Sequence, residues 1–426
     1  MDGTAVPDAA LASTVGRASR AQGRNVLQVA IACGGTGGHL FPGLAVAQVL
    51  QERGVGVTLL ISPKEVDQRA ARSCHGVDTM VLPVAGWQSG TRFACLVGSL
   101  RSIGCVRKLL RRTGRWAVLG MGGFTTLPAA LAALGCRCPV FLHESNAVPG
   151  RANRWLARWA RGVMVGYEAA CPRVHGRWVR VTGTPVRREI ILASRLIGAA
   201  RLERRARVLS SFGLDAERPV VLVVGGSQGA HPLNVSVLAC LDRWSQTGVS
   251  MPQWIHLTGF RDEATVRAGY ASRGIPATVM AFSDQVADLL LAATVVLSRA
   301  GASFLAELVA VGVPAVVVPF PAAADDHQVH NARCLAQTGA IRMILQSEAS
   351  PERLAFELGS LLKDPLARER MRQVQQTWHR PDAAERVAEI LLAAMEAHRA
   401  GGSVAGTPRA APAFGQDSSA SNTGLT

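Results

Sequence analysis

Two glycine-rich turns of this 426-residue chain have the pattern of phosphate-binding loops. The first, at residues 33–39, reads CGGTGGH, and the second, at residues 225–230, reads GGSQGA; each follows an apolar run typical of a buried strand. Backbone N–H groups of such a turn, and the positive end of the next helix, can bind a phosphate. Neither turn continues as a dinucleotide fingerprint or a P-loop, so we expect neither a dehydrogenase nor a kinase.

His39 directly follows the first turn, where a strand is expected to meet a helix. Ligands of open α/β sheets bind at this edge, and an imidazole titrates near neutral pH, so His39 can act as a general base. A histidine that only caps the helix or packs against it is the alternative. Residues 143–146, HESN, end another apolar run and add four polar side chains to the same edge.

Two further residues could contact a nucleotide. Residues 182–187, TGTPVR, place Arg187 beyond the last strand of the first half, where an arginine can clamp a phosphate. In the second half, the small residues of SRAGAS at 298–303 leave a helix N-terminus open to an anion. Glu307 lies about one turn further along that helix, within reach of sugar hydroxyls. A surface arginine and a solvated helix carboxylate are the respective alternatives.

Residues 319–331, PFPAAADDHQVHN, contain side chains that suggest a metal site. The candidate ligands are Asp325, Asp326, His327 and His330. The helical spacing from His327 leads to Asn331, however, and no further ligand cluster completes a coordination shell. We therefore predict that no metal binds here.

Short β-branched runs alternate with helical stretches, which predicts an α/β protein with two doubly wound units. Strands are expected at residues 26–32, 57–61, 116–119, 139–142, 163–165 and 179–181, and then at 220–224, 254–257, 278–282, 294–297 and 315–318. The predicted domains are a Rossmann-like N-terminal domain at 26–190, a polar helical linker at 191–218, a Rossmann-like C-terminal domain at 219–377 and a closing helix at 378–398. Residues 1–25 and 399–426 are expected to be disordered.

The net charge of +16 is concentrated in the first half. Residues 1–190 contain 24 Lys and Arg against 9 Asp and Glu, whereas residues 191–426 contain 22 against 21. This asymmetry predicts that the first half meets an anionic surface or substrate, and argues against a nucleic-acid binder. No apolar run is long enough for a bilayer span, no secretory signal is expected, and the nine cysteines lack paired spacing, as in reduced cytosolic proteins.

A basic amphipathic helix is predicted at residues 93–112. Its apolar stripe consists of Leu96, Leu100, Ile103, Val106 and Leu110, and its basic border of Arg101, Arg107, Lys108, Arg111 and Arg112. Trp155 and Trp159, placed among Arg151, Arg154, Arg158 and Arg161, add aromatic rings typical of membrane interfaces. Helices packed inward with solvated arginine faces are the alternative.

Seven motifs occur in the order found in one enzyme family. They are GGTGGHLFPGLAVA at 34–47, GMGGF at 120–124, HESNAVPG at 143–150, GTPVR at 183–187, GGSQGA at 225–230, SRAGA at 298–302 and DHQVHNA at 326–332. With them, residues 26–395 resemble the MurG family of bacterial peptidoglycan glycosyltransferases, within glycosyltransferase family 28. The resemblance implies a GT-B fold, in which two Rossmann-like domains face each other across a cleft.

The resemblance also implies the reaction, an inverting transfer of N-acetylglucosamine from UDP-N-acetylglucosamine to the C4 hydroxyl of undecaprenyl-pyrophosphoryl-N-acetylmuramoyl-pentapeptide. The expected partners are these two substrates, an anionic membrane surface and a cell-wall synthesis complex, without nucleic acid. No metal or other cofactor is expected. The expected location is peripheral, on the cytoplasmic face of the bacterial inner membrane.

Carried over residue by residue, the resemblance assigns the base to His39, with Glu144 as the alternative base or as the partner that orients His39. Glu307 is expected to bind the ribose and Gln328 the sugar. The full set expected to bind UDP-N-acetylglucosamine is Thr36, Gly37, Gly38, Asn146, Arg187, Ser227, Ser283, Ala302, Ser303, Phe304, Leu305, Ala306, Glu307 and Gln328. The set expected at the membrane is Leu96, Leu100, Ile103, Arg107, Lys108 and Arg111.

Three residues depart from the family pattern. Ser145 and His327 stand where glutamine occurs in the family, and Phe304 stands where a threonine is usual beside the diphosphate loop. Phe304 has no hydroxyl to offer, so that contact of the family is missing. Two alternatives of the same fold are a sugar transferase acting on diacylglycerol and an inactive nucleotide-sugar-binding relative.

Overall fold

The computed structural model describes residues 27–72, 76–84, 92–226 and 229–399. Within these ranges the strands form two parallel sheets. The first sheet has the order β3-β2-β1-β4-β5-β6-β7, and the second the order β10-β9-β8-β11-β12-β13. The strands are β1 Leu27–Ala32, β2 Gly56–Ile61, β3 Asp78–Val81, β4 Arg115–Gly120, β5 Val140–Glu144, β6 Gly162–Val165, β7 Val179–Val181, β8 Val220–Val224, β9 Gln253–Leu257, β10 Ala277–Met280, β11 Val295–Ser298, β12 Ala315–Val317 and β13 Arg342–Met343.

The helices are α1 Gly37–Glu52, α2 Glu65–Arg72, α3 Arg92–Leu110, α4 Thr126–Gly135, α5 Arg151–Leu156, α6 Arg188–Ser194, α7 Gly198–Ser211, α8 His231–Asp242, α9 Glu263–Ala271, α10 Val286–Ala292, α11 Ala302–Val311, α12 His327–Gln337, α13 Pro351–Lys363, α14 Pro365–Trp378 and α15 Ala383–Arg399. Helices α1–α5 and α8–α12 lie between strands of one sheet, α6 and α7 lead from the first sheet to the second, and α13, α14 and α15 follow the last strand. In the described part of the chain, no helix is long and apolar enough to cross a membrane.

The central strands are continuous apolar runs because helices cover both faces of each sheet. All five residues of β8, VVLVV, are buried. In each sheet the strand order reverses beside the first strand, between β1 and β4 and between β8 and β11. Ligands of doubly wound folds bind at such switch points. Both glycine-rich turns follow these first strands, so the fold places each turn at a switch point.

The chain crosses between the two domains near its end. Val387 and Leu391 of α15 are fully buried in the core of the first domain, against α1. Ile190 of α6 and Leu209 of α7 are fully buried in the core of the second domain. The segment predicted as a linker therefore packs with the second domain. The exact domain boundaries remain a prediction from the sequence.

The predicted fold of two Rossmann-like α/β domains is confirmed. The structure adds two strands that we did not predict, β3 and β13, and both lie at the outer edges of their sheets. The disorder predicted for residues 1–25 concerns residues outside the described part of the chain, as does nearly all of the predicted tail.

Candidate active site

The first glycine-rich turn is partly filled by groups of the protein itself. Gly34 N donates to Thr125 Oγ1 at 3.0 Å, and Gly35 N donates to the buried Asp67 carboxylate at 2.7 Å. Lys64 Nζ donates to Gly35 O at 2.8 Å. The carboxylate of Asp67 thus occupies the position that an anion takes in a phosphate loop. The turn ends at Thr36, the N-cap residue of α1.

His39 lies in the first turn of α1, and glycines make room for its ring. Thr36 Oγ1 is 3.1 Å from His39 Nδ1. Gly122 and Gly123 have φ values of +102° and +74°, and a Cβ atom on Gly122 would lie 2.8 Å from His39 Cδ2. The imidazole therefore approaches the backbone so closely that a side chain would clash, which explains Gly122 and Gly123 in the motif at 120–124.

Burial lowers the pKa of the His39 imidazole, and neighbouring charges modify this effect. Glu144 and Asp67 raise that pKa, whereas His327, which belongs to the second domain, lowers it. The net direction is downward, so His39 is neutral near pH 7. A neutral imidazole can accept a proton, as a general base must.

Glu144, the last residue of β5, is buried and accepts four hydrogen bonds. Its Oε1 accepts from Asn146 N and Asn146 Nδ2, both at 2.9 Å. Its Oε2 accepts from Gly150 N at 2.9 Å and from Asn153 Nδ2 at 3.0 Å. A carboxylate bonded in this way anchors the loop and supplies a fixed negative charge near His39. Both predicted roles of Glu144, the alternative base and the partner that orients His39, stay predictions.

Asn331 of α12 joins the two domains at the base of the cleft. Its Oδ1 accepts from Ala147 N at 2.8 Å, and its Nδ2 donates to Asn146 Oδ1 at 3.0 Å and to Ala300 O at 3.2 Å. Asn331 is fully buried. Asn146 is therefore held between Glu144 and a residue of the second domain. We did not predict this role for Asn331, although it lies in the last of the seven motifs.

Arg187 and Glu307 form a bidentate ion pair. Arg187 Nε and Nη2 donate to the two oxygens of Glu307 at 2.8 and 2.9 Å. The side chains are 14% and 3% exposed, and Arg187 Cζ lies 4.2 Å from the ring centre of Phe41 on α1. A surface arginine and a solvated carboxylate, the two alternatives considered above, are therefore wrong. Glu307 is held in place by Arg187 at the contact between α1 and α11.

The loop into α11 is the predicted diphosphate site. Ser303 and Leu305 are buried, so backbone N–H groups are what this turn can present to a ligand. Gln328 Oε1 accepts from Ala300 N at 3.1 Å and from Phe320 N at 3.0 Å, which fixes the loop. Phe304 packs against the core of the second domain, so its ring fills apolar space.

The remaining predicted donor residues are spread over both domains, and one lies outside the described residues. Ala302 begins α11, and Ala306 is half-buried. Ser283 Oγ accepts from Gln285 N at 3.1 Å ahead of α10. Gly37 and Gly38 open α1. Ser227 lies outside the described residues.

One of the candidate metal ligands, Asp325, has other partners. Asp325 pairs with Arg151 and Arg154 of the first domain, at 3.0 and 2.7 Å. Among the residues that the structure describes, no group of three or more His, Cys, Asp or Glu side chains converges as a metal site would require.

The predicted membrane helix is α3, and its apolar stripe is divided. Leu96 and Leu100 are 58% and 59% exposed, whereas Ile103 packs partly into the core. The basic residues Arg107, Lys108 and Arg111 are exposed. Trp155 and Trp159 are 43% and 45% exposed, with ring centres 4.4 Å apart. Of the residues predicted to meet the membrane, the exposed apolar ones are therefore Leu96 and Leu100 of α3 and the two tryptophans.

Comparison with known proteins gives matches over both domains. The glycosyltransferase family 28 N-terminal domain matches residues 29–165, and the glycosyltransferase family 28 C-terminal domain matches residues 220–387. The UDP-N-acetylglucosamine–N-acetylmuramyl-(pentapeptide) pyrophosphoryl-undecaprenol N-acetylglucosamine transferase of Alkalilimnicola ehrlichii is 40% identical over 86% of this chain and 98% of its own. The protein of the same name from Pelobacter propionicus is 35% identical over 86% and 99%. The crystal structure of Acinetobacter baumannii MurG is similar with a TM-score of 0.64 at 28% identity, over 86% of this chain and 99% of its own.

Proposed function

The chain belongs to glycosyltransferase family 28, and we propose that it transfers N-acetylglucosamine from UDP-N-acetylglucosamine to undecaprenyl-pyrophosphoryl-N-acetylmuramoyl-pentapeptide. The relatives at 35–40% identity carry the name of this reaction. The observation that supports the proposal is the position of His39. Its imidazole lies at the start of α1, against the backbone of Gly122 and Gly123, and interacts electrostatically with His327 at the start of α12 on the second domain. A base and a donor site are thus on opposite sides of one cleft.

We assign the donor contacts to the second domain. Backbone N–H groups at the start of α11, with the helix dipole, bind the diphosphate and stabilise the charge that develops on departing UDP. Glu307, oriented by Arg187, accepts hydrogen bonds from the ribose hydroxyls. Gln328 lies at the start of α12 for the hydroxyls of the sugar.

We assign the acceptor chemistry to His39. Its neutral ring takes the proton of the C4 hydroxyl of the muramoyl sugar while that oxygen attacks the anomeric carbon. The bond from this carbon to the β-phosphate oxygen breaks on the opposite face, and its electron pair leaves with UDP. The configuration at the anomeric carbon is therefore inverted. Glu144 stabilises the imidazolium that forms, because its charge is fixed close by.

An acceptor competition assay tests this function. Radiolabelled UDP-N-acetylglucosamine is supplied together with a short-chain analogue of the lipid-linked muramoyl-pentapeptide and with diacylglycerol, in the presence of EDTA. We expect label on the muramoyl lipid only. Label on diacylglycerol only would identify a glycolipid synthase, and donor binding without transfer would identify an inactive relative. Loss of transfer on adding EDTA would contradict the expectation that no metal takes part.

The pH dependence of the reaction should report the lowered pKa of His39. Because the base acts in its neutral form, kcat/KM should rise with pH through this pKa and then stay flat. Burial lowers the pKa of His39 from its ordinary value of 6.5, so the midpoint of the acidic limb should lie below pH 6.5. The measurement is a profile of kcat/KM from about pH 4.5 to about pH 8.5, which covers about two units on each side of the ordinary pKa of histidine. A midpoint above 6.5 would contradict the assigned base.

We also propose that the first domain docks on an anionic membrane surface, at the cytoplasmic face where a lipid-linked acceptor would be presented. Three observations support this: Leu96 and Leu100 are exposed, Trp155 and Trp159 are exposed, and the exposed Arg101 and Arg158 directly follow or lie within these two pairs in the sequence. Exposed apolar side chains bordered by basic residues are typical of proteins that lie at an interface. Residues 1–190 carry a net positive charge, which would be attracted to an anionic membrane surface.

The double substitution Leu96→Glu with Leu100→Glu should release the protein from anionic vesicles. Full burial of a leucine side chain gains about 1.5–3 kcal/mol, so binding should fall by at least about tenfold. Cosedimentation with vesicles containing anionic lipid measures this. Phe356→Glu with Leu366→Glu is the matched control, since these residues of the second domain are 62% and 69% exposed. Equal loss in both double variants would contradict docking through α3.

A further inference from the structure

The loop that leads into α12 is fixed to the first domain by two arginines. Asp325 accepts hydrogen bonds from Arg151 Nη2 at 3.0 Å and from Arg154 Nη2 at 2.7 Å, and Arg151 Nε is 3.4 Å away. Both arginines belong to α5, which directly follows the loop that Glu144 anchors. The two ion pairs therefore connect the acceptor domain to a loop of the donor domain.

The backbone at this contact is held in an uncommon conformation. Asp325 and Asp326 have φ values of +51° and +50°, in the left-handed region that non-glycine residues rarely adopt. Such a conformation persists where the surroundings over-determine it, and it is frequent at functional sites. The carboxylate of Asp325 is the side-chain group of this turn that contacts the other domain. It can therefore help to hold the turn against relaxation.

The two residues that follow this turn belong to the candidate site. His327 and Gln328 begin α12. His327 is one of the groups that lower the pKa of His39 electrostatically, so the two side chains lie near each other across the cleft. Gln328 fixes the loop into α11 through Ala300 N. A shift of Asp325 would consequently move the sugar-binding end of α12 relative to both His39 and the diphosphate loop.

We propose that Asp325 is a positioning residue for the transfer reaction, and that with Arg151 and Arg154 it forms an interdomain clamp that sets the start of α12 against His39. The proposal rests on the proposed function, because it takes Gln328 as a ligand of the donor sugar. Asp325 contacts no substrate in this account and acts only through the placement of His327 and Gln328.

The charges around Asp325 fix the conditions under which the clamp holds. The hydrogen bond from Arg151, with the charges of Arg151, Arg154 and His327, keeps the pKa of the Asp325 carboxyl below its usual range. The carboxyl is therefore ionised at neutral pH, and the ion pairs are lost only as the pH falls through this lowered pKa. Arg151 and Arg154 are 82% and 43% exposed, so the clamp should weaken as salt rises.

The variant Asp325→Asn tests the clamp in steady-state assays with the short-chain muramoyl acceptor and without vesicles. We expect kcat/KM for UDP-N-acetylglucosamine to fall by about tenfold, the scale of two exposed ion pairs, mainly through a higher KM. The Kd of UDP, which lacks the sugar, should be unchanged. Asp288→Asn is the matched control, because the Arg204–Asp288 pair has side chains 42% and 23% exposed, against 43% and 26% for Arg154–Asp325, and lies within the second domain.

A charge swap separates positioning from general damage. Asp325→Arg should lower kcat/KM further than Asp325→Asn, and adding Arg154→Asp should restore most of the loss by rebuilding one pair with reversed charges. The clamp is overturned if wild type transfers the sugar and Asp325→Asn behaves like Asp288→Asn, or if the swap restores nothing. Absence of transfer by the wild type would instead overturn the proposed function, so the two failures are distinguishable.

Discussion

Replacing His39 with alanine should lower kcat by about 10²–10⁴-fold, the contribution of a positioned general base. Binding of UDP-N-acetylglucosamine should change by less than about threefold, because the donor contacts lie on the second domain and each tenfold change in Kd corresponds to about 1.4 kcal/mol. The structure is the reason for expecting a large effect on kcat and a small effect on donor binding. His39 lies on α1 of the first domain, held by Thr36 Oγ1 and by the close backbone of Gly122 and Gly123.

Isothermal titration with the UDP-sugar and a single-turnover transfer assay measure the two quantities on the same preparation. His175→Ala is the control, since His175 is an exposed histidine of the same domain. Equal losses of donor binding and of transfer in His39→Ala would contradict a purely basic role. Full activity in His39→Ala would remove His39 from the chemistry.

The variant Arg187→Met should be strongly destabilising and should impair donor binding. It leaves the carboxylate of Glu307, whose side chain is 3% exposed, without its bidentate partner. Removing one member of a buried ion pair costs about 3–5 kcal/mol, because the other charge stays buried and uncompensated. The ion pair also orients Glu307, so the Kd of UDP-N-acetylglucosamine should rise. Urea unfolding and titration with the UDP-sugar measure the two effects.

The double variant Arg187→Met with Glu307→Leu distinguishes these contributions. Replacing a whole buried ion pair with apolar side chains is often close to neutral for stability. The double variant should therefore regain most of the lost free energy of unfolding while donor binding remains impaired. Recovery of binding together with stability would show that Glu307 contacts no ligand. An unchanged midpoint in Arg187→Met would contradict the buried pair itself.

The central strands of both sheets could be predicted from sequence because they are buried on both faces. The run VVLVV of β8 leads into a glycine-rich turn, and such a run is typical of a strand buried on both faces. The edge strands lack this signal. Asp78–Val81 reads DTMV and is mostly exposed, and Arg342–Met343 has only two residues. Their pairing depends on the neighbouring strand rather than on their own composition.

The position of the site could be predicted because the first strand of each parallel sheet runs directly into a glycine-rich turn at a switch point. The partners of the site residues could not. Asp67 bonds to Gly35 N across 32 residues, and Arg187 bonds to Glu307 across 120. Asn331 bonds to Ala147 N across 184 residues and across the domain boundary. Such pairs follow from the arrangement of the two domains, which local sequence patterns do not encode.

Identification of the transferred product is the decisive test of the proposed transfer reaction. The protein is incubated with ¹³C-labelled UDP-N-acetylglucosamine and the short-chain muramoyl-pentapeptide lipid, and the linkage of the product is determined by NMR. We predict one new N-acetylglucosamine residue, joined in the β configuration to the C4 oxygen of the muramoyl sugar, for each UDP released. An α linkage, attachment at another position, or UDP release without any sugar on the muramoyl lipid would contradict the account.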